Sequence, residues 1–274
     1  MLRKWESEGW TLFTHPDHAK LAGEFASRWG NDVFAPPEPR KDVLEGIFCH
    51  DDGWKARDNS PQITRQGLPS AFSVELVGKY SAFEEIDLAD YLAVRRRALD
   101  DISQKNPYAA VLVSMHTYNL LSDRVDRSTI RTPNLSLLDA FLGEQLARQK
   151  ELREQLKSEN GYPAAQISDS AFDEHFRLLQ ACDCLSLLAC VDYDLPSDLL
   201  HDLLTRRGDR CRIKYVRKDA GVYALDPFPF GETIQKFSIP CRAVPQRTFA
   251  SSHELSERYL AAPIETRELT FIGL

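Results

Sequence analysis

Apolar residues recur at helical spacing through the first three quarters of the chain. In PDHAKLAGEFASRWG, Leu21, Ala22, Phe25, Ala26 and Trp29 share one face, with Thr14 as a possible cap, Pro16 at the first helical position and Gly30 as the stop. A second helix is predicted from about Asp42 to Trp54, on the apolar pattern Val43, Leu44, Ile47 and Phe48. Residues 57–84 are rich in Pro, Gly, Ser and Asn and predict a long loop, a length that often serves function. Helices resume with DLADYLAVRRRALDDI and then PYAAVLVSMHTYNLL, which Asn106 caps and Pro107 opens. Thr132 and Pro133 start a long helix through Leu156, with a charged second half facing solvent and an end at Asn160 and Gly161. In SDSAFDEHFRLLQACDCLSLLACV, Phe172, His175, Phe176, Leu179, Asp183, Leu187 and Cys190 form one inward stripe.

After Asp209 the texture changes to alternating segments broken by prolines: RCRIKYVRK, VYALDPFPF, TIQKFSIPCRAV and a closing RELTFIGL. Ser251 and Glu254 make a capping box for a short helix. The pattern predicts a mainly α protein. Residues 1–208 form a helical domain, and residues 209–274 form a small α+β appendage packed on it, with too few core positions to stand alone.

Composition narrows the functional classes. Lys plus Arg number 34 against 41 Asp plus Glu, and a net charge of −7 gives no footprint for nucleic acid. Arg95, Arg96 and Arg97 spread around a helix and read as solvated. No run of about 18 apolar residues is present to cross a membrane, and MLRKWESEGW lacks the features of a signal peptide, which points to a cytoplasmic protein. The six cysteines form no CxxC pair and read as reduced core residues.

Four helices each bring a metal-competent side chain to an apolar face: His18, the His50–Asp51 doublet, His116, and Asp183 with His175 two turns before it. A lone inward histidine is ordinary. Buried carboxylates are not, because desolvation must be offset by a partner or a cation, and no inward Lys or Arg is evident nearby in sequence. Imidazole with carboxylate suits one or two divalent transition metal ions, Fe, Mn, Zn, Ni or Co, and the missing cysteine spacing argues against structural zinc.

A histidine on an early helix, a His-Asp doublet about thirty residues later and a distant Asp in a helical D-x-L-S resemble the HD-domain superfamily of metal-dependent phosphohydrolases. The matching positions are His18 in PDHAKLAG, His50–Asp51 in CHDDGW and Asp183 in ACDCLSL. The resemblance implies an HD-like helical bundle in which these four residues coordinate one ion. His116 fits the extra histidine that some members use for a second ion. The WG after the first helix, the GW after the doublet and the PFPF of the tail also resemble an uncharacterised bacterial group of unknown function.

Where many HD hydrolases read HD-x-G-K, Trp54 replaces the lysine, so Lys55 or Arg57 is expected to face substrate, with His175 facing substrate or supporting the site. His15 is an alternative cap over the site. Asp51 or Asp52 is the nearest general base. The expectation is metal-assisted hydrolysis of a small phosphorylated metabolite or nucleotide. Two alternatives stand beside it: a di-iron oxygenase of the inositol oxygenase type, and a non-catalytic metal- or ligand-binding module. A small molecule is the expected partner, with neither nucleic acid nor membrane, and the chain leaves the oligomeric state open.

Overall fold

The structure, a computed structural model, describes residues 1–77, 87–159 and 161–274. Asn160 and the end of the loop expected over residues 57–84 therefore lie outside the described residues.

The chain opens not on a helix but on a β-hairpin, β1 (Leu2–Glu6) and β2 (Gly9–Phe13). Helices α1 (His15–Arg28) and α2 (Arg40–Phe48) follow, then a one-turn helix α3 (Lys55–Asp58), α4 (Leu88–Ser103), α5 (Pro107–Ser122), α6 (Thr132–Ser158) and α7 (Asp169–Cys190). Beyond α7 come the two-residue strands β3 (Ser197–Asp198), β4 (Leu203–Leu204) and β5 (Arg210–Cys211), and then β6 (Lys214–Asp219), β7 (Val222–Asp226) and β8 (Ile234–Val244). Helix α8 (Ser252–Ala261) and β9 (Glu265–Gly273) complete the chain.

Among the described residues seven strands form one mixed sheet in the order β1-β2-β8-β9-β7-β6-β3, and β4 and β5 pair separately. The β7–β9 pair is parallel, whereas β2–β8 and β8–β9 are antiparallel. This corrects the expectation of a mainly α bundle with a small appendage: the sheet is a major layer, and both ends of the chain build it. The long strand β8 alternates exposed and buried positions through Cys241, which puts Phe237, Ile239 and Cys241 on the inward face. Helix α1 lies on that face. Its Phe25 ring sits 4.7 Å from Phe237 and 5.1 Å from Phe271, centroid to centroid, so one aromatic cluster joins helix layer and sheet.

Local chemistry sets the element ends that matter for the site. The Thr14 side chain accepts from the Asp17 amide, and Pro16 at the second helical position needs no donor, so α1 starts firmly three residues before His18. Asn106 caps α5 in the same way through the Ala109 amide. Helix α2 ends at Phe48, earlier than expected, so His50 and Asp51 stand in the turn after the helix rather than on it.

Candidate metal centre

Four segments converge on a buried polar cluster: α1 brings His18, the turn after α2 brings His50 and Asp51, α5 brings His116 and α7 brings Asp183. All five side chains are buried. They make two overlapping triads whose ligand atoms all lie within 4.8 Å of one another, His18–His50–Asp51 and His50–His116–Asp183. The chain thus holds buried His/Asp groups that could bind a metal ion.

Hydrogen bonds fix how two of the histidines present themselves. Ser186 Oγ donates to the Asp183 carbonyl at 2.8 Å, so it can only accept from His18 Nδ1, 2.9 Å away. The neutral His18 ring therefore carries its proton on Nδ1 and shows a lone pair at Nε2, which faces Asp51 Oδ2 at 3.1 Å. His50 repeats the arrangement. Its Nδ1–H donates to the Ile47 carbonyl at 2.8 Å, and Nε2, 3.4 Å from Asp183 Oδ1, is buried without a hydrogen bond. Two lone pairs aimed at two carboxylates repel unless a cation or a proton lies between them. A histidine held through its other nitrogen by a carbonyl or hydroxyl is the usual setting of a metal ligand, so the donor set fits a divalent ion.

The electrostatics agree. Burial pushes the Asp183 carboxyl up, but the imidazoles gathered around it, His50 first and then His116 and His18, outweigh it and hold the group at about 2. Burial likewise opposes ionisation of Asp51, and Arg95, His50 and His18 together keep it well below the usual range. His116, desolvated by burial, is held to about 3 and stays neutral, as a ligand must. Burial disfavours a charged His50, yet Asp51 and Asp183 raise it to about 9, so a proton binds where a metal cation would also be favoured.

His116 Nδ1 lies 3.1 Å from the Gln180 amide, whose other end is 3.0 Å from His201 Nε2. His201 is half-buried, on a left-handed backbone (φ 65°), with its Nε2 on Gln180. His253 is exposed and takes no part in the cluster.

A cavity of about 130 Å³ opens beside the cluster and is lined by His18, Asp51, His116 and Asp183 together with His15, Trp54, Arg57, Asp58, Tyr91 and Arg95. His15 stacks on Trp54 with ring centroids 4.6 Å apart, and its Nδ1 lies 3.0 Å from Asp58 Oδ2. The Met1 nitrogen shares this corner, 2.9 Å from Asp58 Oδ1.

Several expected roles need correction. Asp52 is exposed and absent from the cavity wall, which removes it as a general base. Of the two candidates for the missing lysine, Arg57 lines the cavity and Lys55 is exposed away from it. His175 does not line the cavity either, since it sits two turns from Asp183 and bonds the Tyr108 hydroxyl at 2.8 Å.

The largest omission is Arg95. The arginine triplet does spread around α4, with Arg97 outside and Arg96 paired to Glu144, but Arg95 points inward, is only 6 % exposed and ion-pairs with Asp51. The premise that no cation is buried near the doublet fails on it. A signal was present in Gly53: a Cβ there would lie 2.4 Å from the Val94 carbonyl oxygen, so only glycine lets α4 close on the turn.

Fold and site define a mixed helix-and-sheet protein with a buried metal-competent centre at the layer of α1, α5 and α7. The chain belongs to the family described as a protein of unknown function (DUF3891), which it matches over residues 1–246. No curated protein and no solved structure matches it. Among the described residues no helix is long and apolar enough to cross a membrane.

Proposed function

We propose that this protein is a metal-dependent hydrolase of the HD type that cleaves a phosphoester in a small molecule. The observation that carries the reading is the pair of tautomer-locked histidines, His18 and His50, whose Nε2 lone pairs converge with Asp51 and Asp183 beside a cavity. The order His18, His50–Asp51, Asp183 along the chain supports it as a likeness to that superfamily. His18, His50, Asp51 and Asp183 hold the ion, here taken as Mn, Fe, Co, Ni or Zn from the nitrogen and oxygen donors. Such an ion supplies a water of lowered pKa and polarises a phosphoryl oxygen.

The chain's own residues supply the rest. Asp51 is already committed to Arg95 and His18, which leaves His15, on the cavity wall, as the side chain that would take a proton from a water on the bound ion. Burial and the Met1 ammonium beside it, only partly opposed by Asp58, hold His15 at about 4, which keeps it neutral near pH 7. Trp54 fixes the ring plane by stacking.

The test is phosphate release from a panel of nucleotides and sugar phosphates with Mn, Co or Ni added. Asp51→Asn should abolish turnover, and His15→Gln should lower kcat by about 10²- to 10⁴-fold with bound metal unchanged. The second triad supports a dinuclear alternative. Oxygen uptake with a polyol by the iron-loaded protein, without phosphate release, would replace the hydrolase by the oxygenase. Silence in both assays would favour the binding module.

A further inference from the structure

Arg95 is bound more tightly than an ion pair requires. Its guanidinium lies 5.4 Å from the Trp54 ring centroid and 5.2 Å from that of Tyr91, and its Nε donates to the Tyr91 hydroxyl at 3.2 Å. Nη1 donates to Asp51 Oδ1, the carboxylate oxygen other than the one facing His18. A guanidinium has five N–H donors, and Nη2 has no hydrogen-bond partner among the described residues. The side chain is nevertheless 94 % buried by residue, on the cavity wall beside the metal cluster. Nη2 is not sealed off from the cavity that Arg95 lines, so its donors are open to a ligand that brings acceptors.

The charge balance names the sign of that ligand. Asp51 and Asp183 carry two negative charges, while a divalent ion and Arg95 carry three positive ones. The occupied centre is therefore short of one anion, on the side where Arg95 stands. The remaining wall names the rest of the ligand: Trp54, Phe72, Leu76, Leu120 and Leu187 are apolar, and a cavity of about 130 Å³ has room for a body close to one aromatic ring.

We propose that Arg95 forms, with the metal centre, an oxyanion subsite, and that the substrate is a small monoester whose single phosphoryl group meets Arg95 while an apolar or aromatic body fills the cavity. Trp54 is the surface that the Arg95 guanidinium rests on, and Gly53 is the gap that admits α4. This deepens the hydrolase reading and rests on it for the word substrate, but its test is a binding measurement.

The test is calorimetry on the Mn-loaded protein with three probes: phenylphosphonate, which cannot be hydrolysed at its P–C bond, methylphosphonate and benzyl alcohol. Phenylphosphonate should bind most tightly, methylphosphonate at least about 10-fold more weakly for want of the ring, and benzyl alcohol not measurably. Arg95→Gln should weaken both phosphonates by about 10- to 100-fold, the range for hydrogen bonds to a charged group, with bound Mn retained. Equal phosphonate affinity in wild type and variant at equal metal content would overturn the proposal, as would binding of benzyl alcohol as tight as that of phenylphosphonate.

Should Arg95→Gln lose its fold or its metal, a crystal structure of the wild type with phenylphosphonate decides. A phosphonate oxygen within hydrogen-bond distance of Arg95 Nη2 upholds the subsite, and a phosphonate placed elsewhere sinks it. Phosphonate binding that depends on Arg95, without hydrolysis of phenyl phosphate, would uphold the subsite and refute the hydrolase. Hydrolysis indifferent to Arg95→Gln would do the reverse.

Discussion

Gly53→Ala puts a single methyl group at the contact that docks α4 on the His50–Asp51 turn. The added Cβ would lie 2.4 Å from the Val94 carbonyl oxygen and 2.9 Å from Ala98 Cβ, both on α4 and one of them backbone. Ordinary contact begins near 3.4 Å, so the helix or the turn must give by about 1 Å. Overpacking of this kind costs about 1–3 kcal/mol, offset by about 0.4–1 kcal/mol from the smaller entropy of an unfolded alanine. The net loss of about 1–2 kcal/mol corresponds to a Tm drop of roughly 2–8 °C for a chain of this size. Because Arg95 follows Val94, the same displacement pulls its guanidinium from Asp51, and a misplacement of about 1 Å can cost about 10²-fold in activity. Thermal unfolding of the metal-free protein measures the first effect, and phenylphosphonate affinity of the Mn-loaded protein the second. An unchanged or higher Tm would refute the packing argument, and a lower Tm with wild-type phosphonate affinity would refute the link from Gly53 to Arg95.

His50→Ala and Asp183→Ala should each lose bound metal in elemental analysis while circular dichroism keeps its helical signal. Adding Mn at 100 times its Kd should stabilise the wild type by about 2.7 kcal/mol and leave both variants unmoved. Gln180→Glu should raise occupancy of a second ion, because a carboxylate can only accept from His116 Nδ1–H and so turns the Nε2 lone pair inward; an unchanged metal count would remove His116 as a ligand. His175 gives the pH dependence. Burial lowers its pKa from 6.5 to about 4, so the unfolded chain takes up the proton first as pH falls, and its contribution is full above about 6.5 and lost on the way down to about 4. Between pH 7.5 and 4.5, urea unfolding of the metal-free wild type should lose roughly 2 kcal/mol more than that of His175→Leu, and parallel losses would contradict this.

The helices were legible because each repeats an apolar face and several carry their own start signals, Thr14 with Pro16 and Asn106 with Pro107. The sheet was only half legible. Strand β8 announces itself by the alternation of Phe237, Ile239 and Cys241, but β1 carries Arg3, Lys4 and Glu6 in five residues, β2 is five residues long, and β2 docks on a partner more than 200 residues away, Trp10 against Val244. Strands this short carry little pattern of their own, and tertiary contact decides them. The same distance effect hid the size of the C-terminal layer, which looked small because the two strands contributed by the chain's beginning were missing from it.

The site shows the limit more sharply. His18, His50, Asp51, His116 and Asp183 were visible because each is a polar residue where the period demands an apolar one, and such a conflict is local to a helix or its end. Arg95 breaks no such rule. On a helix whose face carries Tyr91, Leu92, Ala98, Leu99 and Ile102, an arginine triplet must point one member near the core, and a long side chain can ordinarily swing its charge back to water. What denies Arg95 that route is not in α4 at all: Trp54 and Tyr91 flank the guanidinium and Asp51 holds its end. All three become neighbours only because Gly53 permits the approach. A buried cation can thus be inferred from the residue that makes room for it. A glycine between an acidic doublet and a tryptophan marks where another helix closes in, and the charge that helix carries completes the site.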